Sequence, residues 1–257
     1  MYRKLLETLQ EAGYAFMAFE EFCKNGAGKC VILRHDVDRK PENSLRLAEI
    51  EAGMGIRASY HFRVVGSSNN PDIIRKVAGL GHEIGYHYED LALAAANKSA
   101  GGTVSIEGLA ADAFDRFRSG LDYFRTFYPV RVISMHGSPT GPVDNRLVWK
   151  YFDYHESDVL CEPYFDIDFS GMLYMTDTGR RWDGDRVNIR DRPLPADSIL
   201  PGEGFSGWKV RPCRGSLLSM TEEGIAFREN YKIHTTKDFL KLAESGKMPE
   251  RIVINTH

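Results

Sequence analysis

Residues 30–38 read Cys30-Val31-Ile32-Leu33-Arg34-His35-Asp36-Val37-Asp38. The apolar run at its start predicts a buried strand of a parallel sheet, and the run passes directly into charged residues, so the strand ends in a polar tip. The pattern returns further along. Gly81-His82-Glu83-Ile84-Gly85-Tyr86-His87-Tyr88-Glu89 reads as a strand with polar residues at its end, residues 130–135 lead into His136, and Ile252-Val253-Ile254 leads into His257. Further strands are predicted over residues 56–62, 173–175 and 231–234. Leu5, Leu6, Leu9 and Ala12 stand at helical spacing, and helices are predicted around 16–23, 41–53, 71–80, 106–127 and 237–245. Residues 94–103 read as a loop or a helix-end insertion. Strand alternating with helix predicts βαβ units and a parallel sheet. The expected architecture is α/β of barrel type, one domain over residues 1–257 with a turn-rich insertion at about 140–215.

Composition limits the function classes. The chain has 257 residues with 42% hydrophobic and 27% charged, a balance that builds a sizeable core and excludes disordered and collagen-like classes. Its 33 Lys+Arg against 36 Asp+Glu give a net charge of −3, so no global field draws it to nucleic acid or an anionic membrane. No apolar run approaches the roughly 20 residues of a membrane span. The first residues carry charges through their apolar positions, so no secretory signal is expected. Cys23, Cys30, Cys161 and Cys213 are scattered without metal or disulfide spacing, which fits reduced thiols in a cytoplasm.

In parallel α/β folds, sites gather at the carboxyl ends of the strands. Here those ends carry Asp36 and Asp38, His87 and Glu89, His136, and His257. Two residues apart on extended chain, Asp36 and Asp38 project to the same face, and two carboxylates that close call for a cation or a proton between them. His82-Glu83 begins like the zinc-protease HExxH, but His87 comes one residue too late for one helix face. On a strand the odd separation sends His82 and His87 to opposite faces, whereas His87 and Glu89 share one.

Leu33-Arg34-His35-Asp36-Val37-Asp38, together with Gly81-His82-Glu83-Ile84-Gly85-Tyr86-His87, resembles the first two motifs of the polysaccharide deacetylase (NodB-homology) family. The closing Ile254-Asn255-Thr256-His257 resembles its last motif. Met135-His136-Gly137-Ser138-Pro139, Asp144-Asn145-Arg146 and residues 176–184 resemble a divergent bacterial branch. The resemblance implies a deformed (β/α) barrel, seven- or eight-stranded and TIM-like, carrying a metal-dependent enzyme that removes acetyl groups from carbohydrates. It implies Asp36 as catalytic base, Asp38 and His87 as metal ligands, and His257 as general acid. The family's second metal histidine falls at Leu91, which cannot bind metal. Glu89 and His136 are the candidate replacements, and His136 is favoured because imidazole completes the N,N,O set that suits zinc. Arg34 is the candidate for orienting the base. Asp166, Asp168 and Asp177 are candidates for holding His257 charged.

Substrate contacts are expected from Glu89, Arg181, Trp182 and Asp177, within a region that also offers Tyr164, Tyr174, Trp208, Arg180 and Arg190. The arginines would suit an anionic group. The expected activity is hydrolysis of an acetyl amide or ester on a surface-polysaccharide sugar or its precursor, with Zn²⁺ the expected ion. The alternatives are a hydrolase of a non-sugar C–N bond on the same barrel, and a metal-free carbohydrate-binding pseudoenzyme.

Overall fold

The structure is a computed structural model that describes residues 1–26, 28–98, 105–137, 143–169, 171–177, 182 and 231–257. Strands β1 (Ala15–Met17), β2 (Cys30–Val37), β3 (Ser59–Phe62), β4 (Glu83–Tyr88), β5 (Ile133–Met135), β6 (Met172–Thr176) and β7 (Arg251–Thr256) form one sheet, parallel at every pairing. Its path runs β5-β4-β3-β2-β7-β6 and curls into a half-barrel of six strands. β7 pairs with β2 from Cys30 to His35, so β1 and β3 share the other edge of β2, β1 along Cys30–Ile32 and β3 along Arg34–Val37. Strands from near both chain ends therefore lie side by side.

Helices stand where the sequence predicts them at α1 (Tyr2–Glu11), α2 (Phe19–Asn25), α3 (Pro41–Ala52), α4 (Pro71–Gly79), α6 (Ile106–Arg125) and α8 (Thr236–Glu244), and the structure adds α5 (Asp90–Lys98) and the short α7 (Pro163–Asp166). Their starts carry the expected chemistry. The Asn70 side chain accepts from the backbone N–H of Asp72 and Ile73 at the start of α4, and Thr235 with Asp238 forms a capping box on α8. α1 buries Leu5, Leu6 and Leu9, each contributing about 1.5–3 kcal/mol on full burial.

Three local expectations differ from the structure. Residues 15–17 are a strand, because Gly13 turns the chain at φ 81° and delivers it to the free edge of β2. Residues 90–98 are helical, and α5 packs along α6. Residues 231–234 are not a strand: His234 offers its carbonyl to the Trp182 N–H instead of to a ladder. The expected turn-rich region supplies β6, inserted beside β7.

Register decides which side chains share a face, since partners in a parallel ladder point the same way. Asp36, His61 and Gly85 are partners across β2, β3 and β4, His87 pairs with Ser134, and Arg34 pairs with Asn255. These residues line the concave face. The alternate residues Leu33, Val37, Tyr60, Phe62, Ile84 and Tyr86 belong to the apolar core of the convex side, where α3 packs on β2, and α4 and α6 on β4. Tyr86 reaches close to α6 because Gly120 has no side chain: a Cβ there would meet the Tyr86 hydroxyl at 2.7 Å.

Candidate metal centre

The polar tips of four strands meet at one end of the half-barrel. A narrow cavity there is lined by Asp36 and Asp38 from β2 and its end, His87 from β4, His136 after β5, and Asn255 and His257 from β7 and its end. His82 and His87 do face opposite ways: His87 lines this cavity, while His82 is buried on the convex side against Tyr60 and the Ala48 carbonyl.

Asp38, His87 and His136 offer one ligand atom each within 4.8 Å of one another. His136 Nε2 stands 3.4 Å from Asp38 Oδ1, and His87 Nε2 stands 3.7 Å from it. Both imidazoles are held by their other nitrogen. The carbonyl of Ser134 can only accept, so His87 donates to it from Nδ1 at 2.9 Å and keeps a lone pair on Nε2 for the cavity. His136 Nδ1 lies 3.1 Å from Glu89 Oε2, and Arg63 clamps both oxygens of that carboxylate at 2.8 and 2.7 Å. The backbone of His136 is fixed too, its N–H donating to the Tyr88 carbonyl at 2.9 Å and its carbonyl accepting from Asn145 Nδ2 at 2.9 Å.

These residues fit a divalent ion. Asp38 Oδ1 is buried without a hydrogen-bond partner among the described residues, a costly state for an acceptor unless a cation or donor completes it. Two imidazoles and a carboxylate are a donor set suited to zinc, and a carboxylate behind one imidazole is the usual support for such a ligand. Leu91 is wholly buried in the apolar core.

Beside the triad stand two acid–base groups. Asp36 is 2% exposed and accepts three hydrogen bonds: Arg34 Nε to Oδ1 at 2.9 Å, Arg34 Nη2 to Oδ2 at 2.8 Å, and Asn255 Nδ2 to Oδ2 at 3.0 Å. Burial pushes its pKa up, but the Arg34 charge, with His87, His257 and His61, outweighs burial and holds the carboxyl well below its usual range. Asp36 is thus a standing anion. On the far side, His257 donates from Nδ1 to Asp177 Oδ1 at 2.6 Å and brings Nε2 to 3.7 Å from Asp36 Oδ2. Burial lowers the His257 pKa, but the Asp177 hydrogen bond and the charges of Asp36, Asp177 and Asp38 outweigh it, so the net shift is upward and favours the imidazolium.

The structure therefore brings together Arg34, Asp36, Asp38, His87, His136 and His257, with Glu89 behind His136 and Asp177 behind His257. Of the three aspartates considered for His257, Asp166 instead accepts from the Tyr154 hydroxyl at 2.6 Å, and Asp177 is the partner. Trp182 bridges to Asp177 through the backbone, and its indole N–H reaches Thr236 Oγ1 at 3.3 Å. Arg181 lies outside the described residues, as do Arg180, Arg190, Trp208, Cys213, Ser138 and Pro139. Tyr164 lines the cavity, with the Arg34 guanidinium 5.5 Å from its ring centre.

Sequence reasoning missed His61, Arg63, Ser134 and Asn145 and gave Asn255 no role. Strand parity would have found two of them, since His61 and Ser134 hold the register of Asp36 and His87. Arg63 and Asn145 act from beyond strand ends, where no period applies. No family model matches the sequence, and no curated protein matches it.

Proposed function

We propose that this protein is a metal-dependent hydrolase that removes an acetyl group, as amide or ester, from a carbohydrate, on a deformed barrel of the NodB-homology type. The observation that carries the reading is the convergence of Asp38, His87 and His136 within 4.8 Å, flanked by an ionised Asp36 and an Asp177-supported His257. The motif resemblance supports the acetyl and sugar part. The free thiols of Cys23, Cys30 and Cys161 suit a cytoplasmic place of action.

A divalent ion, zinc by the donor set, would supply a water of lowered pKa and polarise the acyl carbonyl. The chain's own residues do the rest. Arg34 and Asn255 fix the plane of the Asp36 carboxylate. Asp36 takes the proton of the attacking water while the water oxygen bonds to the acyl carbon. His257, kept protonated by Asp177, gives its Nε2 proton to the departing nitrogen or oxygen as its bond to the acyl carbon breaks, leaving acetate. General acid catalysis of that kind contributes about 10²–10⁴-fold. Glu89 and Arg63 hold His136 in place.

Zinc-loaded protein incubated with N-acetylglucosamine oligomers and O-acetylated sugars should release acetate, with Asp36→Asn and His257→Ala both impaired. Zinc binding with acetate released only from a non-sugar amide would move the reading to the related C–N hydrolase. Sugar binding without zinc or acetate would make the chain a carbohydrate-binding pseudoenzyme.

A further inference from the structure

His61 is the least expected residue of the concave face. It sits in mid-strand on β3, wholly buried, and neither ring nitrogen has a hydrogen-bond partner among the described residues. Leaving a buried polar group unpaired costs about 1–3 kcal/mol, whereas a leucine or phenylalanine would fill such a place without that cost. The neighbouring strand makes a second concession. Gly85, the ladder partner of His61, has no left-handed backbone to explain it, yet a Cβ there would lie 2.2 Å from His61 Cδ2 and 2.7 Å from its Nε2. A glycine inside a strand costs roughly 0.5–1 kcal/mol against alanine. Two unfavourable local choices thus serve one outcome, an imidazole buried against Asp36.

The ring is directed at Asp36. His61 Nδ1 lies 3.6 Å from Asp36 Oδ1, just beyond hydrogen-bond length. Of the two carboxylate oxygens, Oδ2 accepts from Arg34 and Asn255, whereas Oδ1 accepts only from Arg34 Nε among the described residues. A carboxylate oxygen has about two acceptor positions, so Oδ1 keeps one open beside the His61 ring. Complete burial favours the uncharged ring, which carries one N–H. A carboxylate can only accept, which places that hydrogen on Nδ1.

We propose that His61 is a positioning residue for Asp36: a neutral imidazole, admitted by Gly85, that donates Nδ1–H to Oδ1 and completes the set of donors fixing the carboxylate plane. Arg34, Asn255 and His61 then hold Oδ2 as the oxygen facing the cavity, where it stands 3.8 Å from His87 Nε2 and 3.7 Å from His257 Nε2. The role of the orientation in proton transfer rests on the hydrolase reading. The hydrogen bond itself does not.

Two measurements test this separately. Nitrogen NMR of histidine-labelled protein should show His61 as the neutral Nδ1–H tautomer, with that resonance shifted in Asp36→Ala. A His61 found as the Nε2–H tautomer, or unmoved by Asp36→Ala, overturns the proposal whatever the protein hydrolyses. In acetate release, His61→Phe should lower kcat at least about tenfold, the worth of one buried hydrogen bond, with KM and zinc stoichiometry unchanged. His61→Asn, whose amide nitrogen reaches the place of Nδ1, should recover most of that loss. Gly85→Ala, which displaces the ring, should behave like His61→Phe. Equal losses in His61→Phe and His61→Asn, following the fall in thermal stability, would reduce His61 to a packing residue. If acetylated sugars yield no acetate with the wild-type protein, the hydrolase reading fails and the tautomer alone decides the proposal.

Discussion

Strand β2 carries a buried acid–histidine cluster on each of its faces, and the two are built differently. On the convex face Glu51 accepts from the hydroxyls of Tyr60, at 2.7 Å, and Tyr2, and pairs with His35 Nε2 at 2.8 Å. His35 Nδ1 meets Thr256 Oγ1 at 2.7 Å, and His82 takes the Ala58 N–H and donates to the Ala48 carbonyl. No side-chain polar atom of these residues is left buried and unpaired. On the concave face Asp38 Oδ1, both nitrogens of His61, Ser134 Oγ and Asn255 Oδ1 are buried without hydrogen-bond partners among the described residues. Residue types are much the same, but one cluster is a closed network that ties β2 to α3 and β7, and the other leaves Asp38 Oδ1 open at the cavity, where an ion would complete it. Saturation separates a structural cluster from a site more sharply than composition does.

Breaking each cluster should therefore fail differently. The largest effect falls on the concave side: Asp177→Asn should cut acetate release by about 10²–10⁴-fold and move the alkaline limb of the rate profile to lower pH, because the upward hold on His257 is lost and its proton leaves earlier. A pH–rate profile checks this, and an unmoved limb would remove His257 as the acid. On the convex side, Glu51→Ala strands His35, Tyr60 and Tyr2 and should cost about 3–5 kcal/mol in urea unfolding while leaving zinc stoichiometry at the wild-type value. A smaller effect is expected behind His136, where Glu89→Gln should weaken zinc about 10–100-fold, read by competition with a chelator.

The smallest effect lies at neither cluster. Glu162, under Met135 and Tyr164, is pushed up to about 8 from 4.5, first by burial and then by the charge of Asp166. A carboxyl with a raised native pKa binds its proton more tightly folded than unfolded. It contributes stability present below about 4.5, diminishing as pH rises towards 8. Glu162→Gln should flatten the loss of thermal stability between pH 6 and pH 8, and a slope unchanged from wild type would contradict the assignment. Glu83 and Asp90, both raised to about 7 chiefly by burial, leave a residual slope of the same sign.

The sheet was legible in the sequence because its strands carry their own period. In Glu83-Ile84-Gly85-Tyr86-His87-Tyr88-Glu89 the small and polar residues alternate with Ile84, Tyr86 and Tyr88, and parity alone separates His82 from His87. Six of the site residues stand at the strand ends where parallel sheets assemble sites: Arg34, Asp36, Asp38, His87, His136 and His257. Other features were hidden for physical reasons. Residues 16 and 17 of β1 fall inside the helix expected over 16–23, because a three-residue strand is too short to show a period and its partner edge is a long-range fact. Asp177 was one of three aspartates until the β6–β7 pairing brought it to His257. His61 looked like part of a strand and nothing more, since its meaning lies in the absence of a side chain at Gly85.

An ion held through Asp38, His87 and His136 would complete the concave cluster. Metal analysis of untagged protein after zinc loading and dialysis tests it most directly, run beside Asp38→Ala, His136→Ala and the convex-face control Glu51→Gln. About one zinc per chain is expected in the wild type and in Glu51→Gln, and none retained in Asp38→Ala or His136→Ala. A wild-type chain that holds no zinc, or a His136→Ala chain that holds as much as the wild type, would contradict it.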